Sequence, residues 1–117
     1  MTDTIKTPEW INSLPIAVTA SDAEARIIYM NHRSAETFEK DCGQKLIGKS
    51  LFECHSERSA MIIRELLESG RNNIYTIEKN GKRKMICQLP WFEDGEVAGL
   101  VEISIPLPDE IPHFIRS

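Results

Sequence analysis

The last third of the chain limits the fold most. Residues 74–105 read as three runs of alternating side chains, Ile74 to Lys79, Arg83 to Phe92 and Val97 to Ile105, separated by Asn80-Gly81 and Asp94-Gly95. Asn-Gly and Asp-Gly pairs accept the left-handed backbone of a two-residue hairpin turn at little steric cost. Three runs joined by two such turns make an antiparallel meander, which Pro106 and Pro108 bring to an end.

Ahead of the meander the period is mostly helical. Pro8 suits a first helical turn, and Trp10, Ile11 and Leu14 follow at helical spacing before Pro15 stops the element. A helix this short has to dock its apolar face on something. Ile16 to Ala20 and Arg26 to Met30 read as two strands joined by the polar stretch SDAEA. Asn31 stands at the N-cap of a helix that carries Ala35 and Phe38 on one face and ends at Cys42-Gly43. A brief helical turn, Gln44 to Ile47, leads to Gly48 and then to LFECHSERSA, residues 51–60. Ser56 caps the next helix, Glu57 complements its dipole, and Ala60, Ile63, Leu66 and Leu67 form its stripe up to a stop at Gly70.

The order is helix, two strands, several helices, three strands. It implies an α+β fold, a five-stranded antiparallel sheet with the helices inserted between strands two and three on one face, plus the short N-terminal helix. At 117 residues there is room for one modest core. The expected division is a flexible N-terminus at 1–7, a folded domain at 8–108 and a tail at 109–117.

Charge and cysteine usage narrow the function classes. A formal net charge of -4 argues against nucleic acid as a partner, because phosphate contacts need clustered Lys and Arg. The one basic knot, Lys82-Arg83-Lys84, reads as a solvated hairpin tip. No apolar run approaches the length of a membrane span and no leader pattern opens the chain, so a cytoplasmic protein with no membrane partner is expected. Cys42, Cys54 and Cys87 lack the pairing and spacing of a disulfide framework or a zinc site, and reduced thiols are the expectation.

Three stretches, taken in this order and spacing, resemble the PAS domain family over roughly residues 10–105. They are IIYMN (27–31), where a strand ends on a helix-capping Asn, LIGKSL (46–51), similar to the family's glycine-marked turn, and DGEVAGLVEISI (94–105), similar to its final hairpin. The family's common Asp-Ile-Thr after the last strand is here Pro106-Leu107-Pro108. With about ten residues beyond that point, a stand-alone domain without a kinase, cyclase or DNA-binding output is expected.

Alternation and resemblance disagree on which sheet face meets the helices. Val97, Gly99, Val101, Ile103 and Ile105 make a wholly apolar set, which alternation alone would turn toward the helices. The resemblance implies the reverse. It places Thr76, Ile86, Gln88, Leu100, Glu102 and Ser104 in a cavity under the helices, with Phe38 and Ile63 as the helical wall. Tyr75, Ile77, Met85, Leu89, Trp91, Ile103 and Ile105 then form an outer patch, covered by Trp10, Ile11 and Leu14 and by a second copy of the chain.

Cys54 and His55 carry the remaining chemistry. The Asn-Cys-Arg-Phe-Leu setting of the family's flavin photoreceptors is absent. A haem-based redox or gas sensor would have to use His55 at the edge of the long helix. A thiolate at Cys54 activated by His55 would need an oxyanion donor that the sequence does not supply. A structural turn is the plainer account. Glu102 is either salt-bridged to Arg26, Arg33, Lys45 or another base, or it faces a cationic or hydroxylated ligand beside Thr76 and Gln88. No paired carboxylates, phosphate loop or metal cluster point to an enzyme. The expected protein is a homodimeric sensory or interaction domain that needs no cofactor. It binds a small molecule or a protein partner in signal transduction or regulation of transcription.

Overall fold

The computed structural model describes residues 8–38 and 43–117. The segment expected to fray at 1–7, the helix end at Cys42 and the side chain of Cys54 lie outside the described residues. The elements are α1 (Glu9–Asn12), β1 (Ala17–Ser21), β2 (Ile27–Met30), α2 (His32–Thr37), a 3-10 turn (Gly43–Leu46), α3 (Leu51–Cys54), α4 (Glu57–Ser69), β3 (Asn73–Lys79), β4 (Lys82–Glu93) and β5 (Glu96–Pro106). The five strands form one antiparallel sheet in the order β2-β1-β5-β4-β3.

Both hairpin turns adopt the left-handed backbone that their residues favour. Asn80 and Gly81 have φ of 55° and 75°, and Asp94 and Gly95 have 53° and 81°. Ser56 caps α4 by accepting a hydrogen bond from Ser59 N at 3.2 Å, and Gly70 stops it at φ 73°. One helix is new relative to the sequence reading. In α3 the Ser50 hydroxyl accepts from Phe52 N at 3.1 Å, so a capped turn replaces the expected loop.

The core lies between the sheet and the helices. Ile63 and Leu66 of α4 pack with Ala25 and Leu100, and Ile27, Met30 and Leu46 form a second cluster beside them. Burying each large side chain is worth about 1.5–3 kcal/mol. α3 leans on α4 through Arg64, whose guanidinium lies 4.6 Å from the centroid of the Phe52 ring.

Asn31 fastens the N-terminal part. It is fully buried and caps α2 by accepting from Ser34 N at 3.0 Å. The same oxygen accepts from Val18 N at 3.0 Å, while Nδ2 donates to Ile11 O at 3.0 Å and to Ile16 O at 2.8 Å. One side chain thus ties α2, β1 and the end of α1 together, with every polar atom satisfied.

Ser21 is the corresponding fastener at the other end of β1. Its carbonyl accepts from Trp91 Nε1 at 2.9 Å, and its hydroxyl accepts from Leu100 N at 3.2 Å. Gly99 sits between these contacts with no room for a side chain: a Cβ there would lie 1.9 Å from Ser21 O and 2.4 Å from Trp91 Nε1.

Strand register assigns the two faces. Thr19, Glu102, Gln88 and Asn73 lie across from one another, as do Ala17, Ser104, Ile86 and Tyr75. These sets, with Leu100, form the face under the helices. Val18, Ile103, Cys87 and Ile74 lie on the other face, together with Met85, Ile105 and Thr76. The β3 part of the expected assignment is therefore reversed. Thr76 is on the outer face, while Tyr75 and Ile77, expected outside, lie on the helix side. A bulge changes Val97 as well. Trp91 pairs with Gly99 but Phe92 pairs with Val97, so Ala98 is an extra residue on β5. Phe92 and Val97 turn toward α4, where a Cβ at Gly70 would meet Val97 at 3.2 Å and Phe92 at 3.5 Å.

Among the described residues no helix is long and apolar enough to cross a membrane.

Candidate functional site

β1 and β5 are neighbours at the middle of the sheet, so their inward residues form a floor that the helices arch over. That floor carries Thr19 and Ser21 from β1 and Leu100 and Glu102 from β5. Above it opens a cavity of about 610 Å³, walled by Ile27, Met30, Phe38, Leu46, Leu51 and Ile63, with Lys49, Glu53 and His55 also on its lining. A second cavity of about 240 Å³ adjoins it and is lined by Tyr75, Ile77, Lys84, Ile86 and Ser104. Thr19, Phe38, His55 and Glu102 line both, which makes Glu102 part of the partition between the two spaces.

Glu102 is held by a relay of side chains. Asn73 Nδ2 donates to Gln88 Oε1 at 2.8 Å, and Gln88 Nε2 donates to Glu102 Oε2 at 2.9 Å. An ionised carboxylate only accepts, so Gln88 turns Nε2 toward Glu102 and leaves Oε1 to accept from Asn73. The salt bridge to Arg26, Arg33 or Lys45 offered by the sequence does not form: among the described residues the ion pair is Arg71 with Glu65, on the surface. Burial first, and the negative charge of Glu102 second, raise the Tyr75 phenol above its ordinary pKa. The carboxylate is therefore within electrostatic reach of that ring.

His55 ends α3 and precedes the cap of α4, and its ring lines both cavities. Nδ1 lies 2.8 Å from Leu51 O. A carbonyl can only accept, so Nδ1 carries a proton and donates it to Leu51 O. His55 thus bonds back to the first residue of α3 and is also a wall residue.

Of the pocket candidates, Phe38, Ile63, Leu100 and Glu102 line the larger cavity, Ile86 and Ser104 the smaller, and Gln88 stands behind Glu102. Thr76 is not among them. Thr19, Ser21, Met30, Leu46, Leu51, His55 and Tyr75 are wall residues that the sequence did not assign there. For the two on β1 a signal existed, since Thr and Ser two residues apart on a short strand share one face. Of the outer-patch candidates, Met85, Leu89, Trp91, Ile103 and Ile105 are half-buried on the outer face, with Ile11 and Leu14 also half-buried, whereas Trp10 is 63% exposed. Among the described residues no group of three or more His, Cys, Asp or Glu is placed to hold a metal ion.

A family model described as PAS fold matches residues 11–109. No curated protein matches the chain. Among solved structures, a C-terminal domain from Streptococcus mutans aligns with a TM-score of 0.67 at 19% identity, covering 82% of this chain and 78% of that one. A VqmA dimer of Vibrio cholerae aligns at 0.67 and 17% identity, covering 86% of this chain and 51% of the other. VqmA has also been solved bound to DPO. A sensory box sensor histidine kinase from Vibrio cholerae aligns at 0.62 and 16% identity, covering 86% and 88%. The chain thus spans about half of VqmA, a DNA-binding protein by its description. An acidic net charge does not exclude nucleic acid for a protein that contains this fold.

Proposed function

The chain belongs to the PAS-fold family, and from that premise we propose that it is a sensory module that takes a small molecule into the cavity beneath its helices. The observation that carries the reading is the cavity itself. About 610 Å³ lies within the usual range for small-molecule sites, and an apolar wall around a few placed polar groups is their usual make-up. The role is recognition rather than catalysis, in signal transduction or regulation of transcription. VqmA with DPO bound and a sensor histidine kinase, both of this fold, support that setting.

Leu100→Trp tests the cavity. Leu100 is 3% exposed and stands on the floor beside Ile63. An indole there should fill the space, abolish binding of any molecule that co-purifies with the wild type, and cost about 1–3 kcal/mol through overpacking. Native mass spectrometry reads the first effect and urea unfolding the second. Retention of the co-purifying mass by a folded Leu100→Trp protein refutes the reading.

Two copies of the module pair through the outer sheet face. Met85, Leu89, Val101, Ile103 and Ile105 form a half-buried apolar set on the outer face, and a two-fold contact would complete their burial on both copies. A VqmA dimer has the same fold. Ile103→Glu should convert a dimer to a monomer or an aggregate in light scattering, because a charge at the centre of such a contact cannot be solvated. A wild type that is monomeric at high micromolar concentration rules the pairing out.

Haem is the second reading, favoured by the free Nε2 of His55 at the cavity wall. The remaining lining does not fit it well, since Glu102 shares the wall and would stand against the negative charge of the haem propionates. A Soret band in the purified protein that disappears in His55→Ala would favour haem over the module proposed above.

A further inference from the structure

We propose that the ligand of the cavity is a small organic amine, with an apolar ring or chain against Leu100, Ile63 and Met30 and a protonated nitrogen donating to Glu102. The proposal rests on the reading of the cavity as a ligand site and adds the chemical class. One oxygen of Glu102 accepts from Gln88 at 2.9 Å, and Gln88 in turn accepts from Asn73 at 2.8 Å. Among the described residues no Lys, Arg or His forms an ion pair with Glu102 and no donor meets its Oε1.

A carboxylate is acceptor-only. A protonated amine in the cavity can supply a donor to the Oε1 oxygen of Glu102. His55 points the same way when its ring is neutral, because its Nδ1–H is spent on Leu51 O and the other nitrogen is then an acceptor on the same wall. A ligand carboxylate would meet two acceptors and a like charge. An ammonium meets two acceptors and an opposite charge, partly shielded from water, where charge-assisted hydrogen bonds are the stronger kind. Lys49 and Glu53, the other charged residues of the larger lining, are solvent-exposed, and Lys84 lines only the smaller cavity. None of them is paired with Glu102.

Three indoles of one shape and different charge test this: tryptamine, tryptophol and indole-3-acetate, titrated calorimetrically into the wild type, Leu100→Trp and Glu102→Gln. Tryptamine should bind the wild type on the order of tenfold more tightly than tryptophol, the increment of a charge-assisted hydrogen bond, with indole-3-acetate weakest. Glu102→Gln keeps the shape and should remove that preference while leaving tryptophol within about twofold. Should Glu102→Gln fail to fold, the ranking in the wild type decides alone. Tryptophol or indole-3-acetate binding as tightly as tryptamine overturns the amine and leaves the cavity reading intact. A preference for tryptamine that survives in Glu102→Gln also overturns the proposal. If none of the three binds, or all bind Leu100→Trp as they bind the wild type, the cavity reading falls and the amine with it.

Discussion

Replacing Asn31 by Asp should destabilise the protein by about 3–5 kcal/mol, the cost of leaving a buried charge uncompensated, although the two side chains have the same shape. The substitution keeps the oxygen that accepts from Val18 N and Ser34 N. It exchanges the Nδ2 that donates to Ile11 O and Ile16 O for a second acceptor. Two carbonyls would then face a carboxylate at a site with no solvent exposure. The variant should also loosen α1 before the sheet melts, since Ile11 O belongs to α1 (Glu9–Asn12) and is held by that amide. Urea unfolding measures the loss of stability, and amide exchange around residues 9–16 measures the order of opening. A change below about 1 kcal/mol would mean that Asn31 acts only as a helix cap, a role that Asp fills equally well.

Gly99→Ala should cost about 3 kcal/mol, the upper end of what overpacking a filled site costs, for the smallest side chain that can be added. The added carbon would fall 1.9 Å from Ser21 O, a backbone atom of the neighbouring strand, and 2.4 Å from Trp91 Nε1. No rotamer change relieves a clash with backbone. β1 has to move away from β5, and the Trp91 bond to Ser21 O breaks with it. Tryptophan emission should shift to the red as the Trp91 indole loses that site, with Trp10 already 63% exposed in the wild type. A Gly99→Ala protein with wild-type stability and emission would show that β1 and β5 are not packed as tightly as described.

The sequence carried most of the architecture because the elements that define it are locally encoded. Asn80-Gly81 and Asp94-Gly95 specify hairpin turns without reference to the rest of the chain, and Ser56 with Gly70 does the same for the ends of α4. Where local encoding gives out, the reading fails in identifiable places. α3 has four residues, too few to show a period. In β3 both alternating sets mix apolar and polar side chains, so nothing in Ile74, Tyr75, Thr76 and Ile77 selects a face, and the choice is made by pairing with β4. The bulge at Ala98 adds one residue and inverts Val97 against an unbroken alternation.

The site was legible only in part, for a related reason. Leu100 and Glu102 are two residues apart on one strand, which puts them on one face whatever the fold. His55 reaches the cavity because α3 and α4 fold back over the sheet, and no spacing in the sequence records that. Asn31 was recognisable as a cap, but its second pair of hydrogen bonds runs to residues 15 and 20 positions earlier.

The strand order has a consequence for how the chain is made. β5 is the middle strand of the sheet and also the last of the five to leave the ribosome. Until it emerges, the β1–β2 hairpin and the β3–β4 hairpin have no edge in common, and neither has a floor on which α4 can rest Ile63 and Leu66. Two-stranded hairpins are marginal on their own. The sheet of the nascent chain is therefore incomplete until residues 96–106 add themselves between the two hairpins. The same dependence makes β5 the strand whose removal would separate the sheet into two hairpins that share no strand pairing.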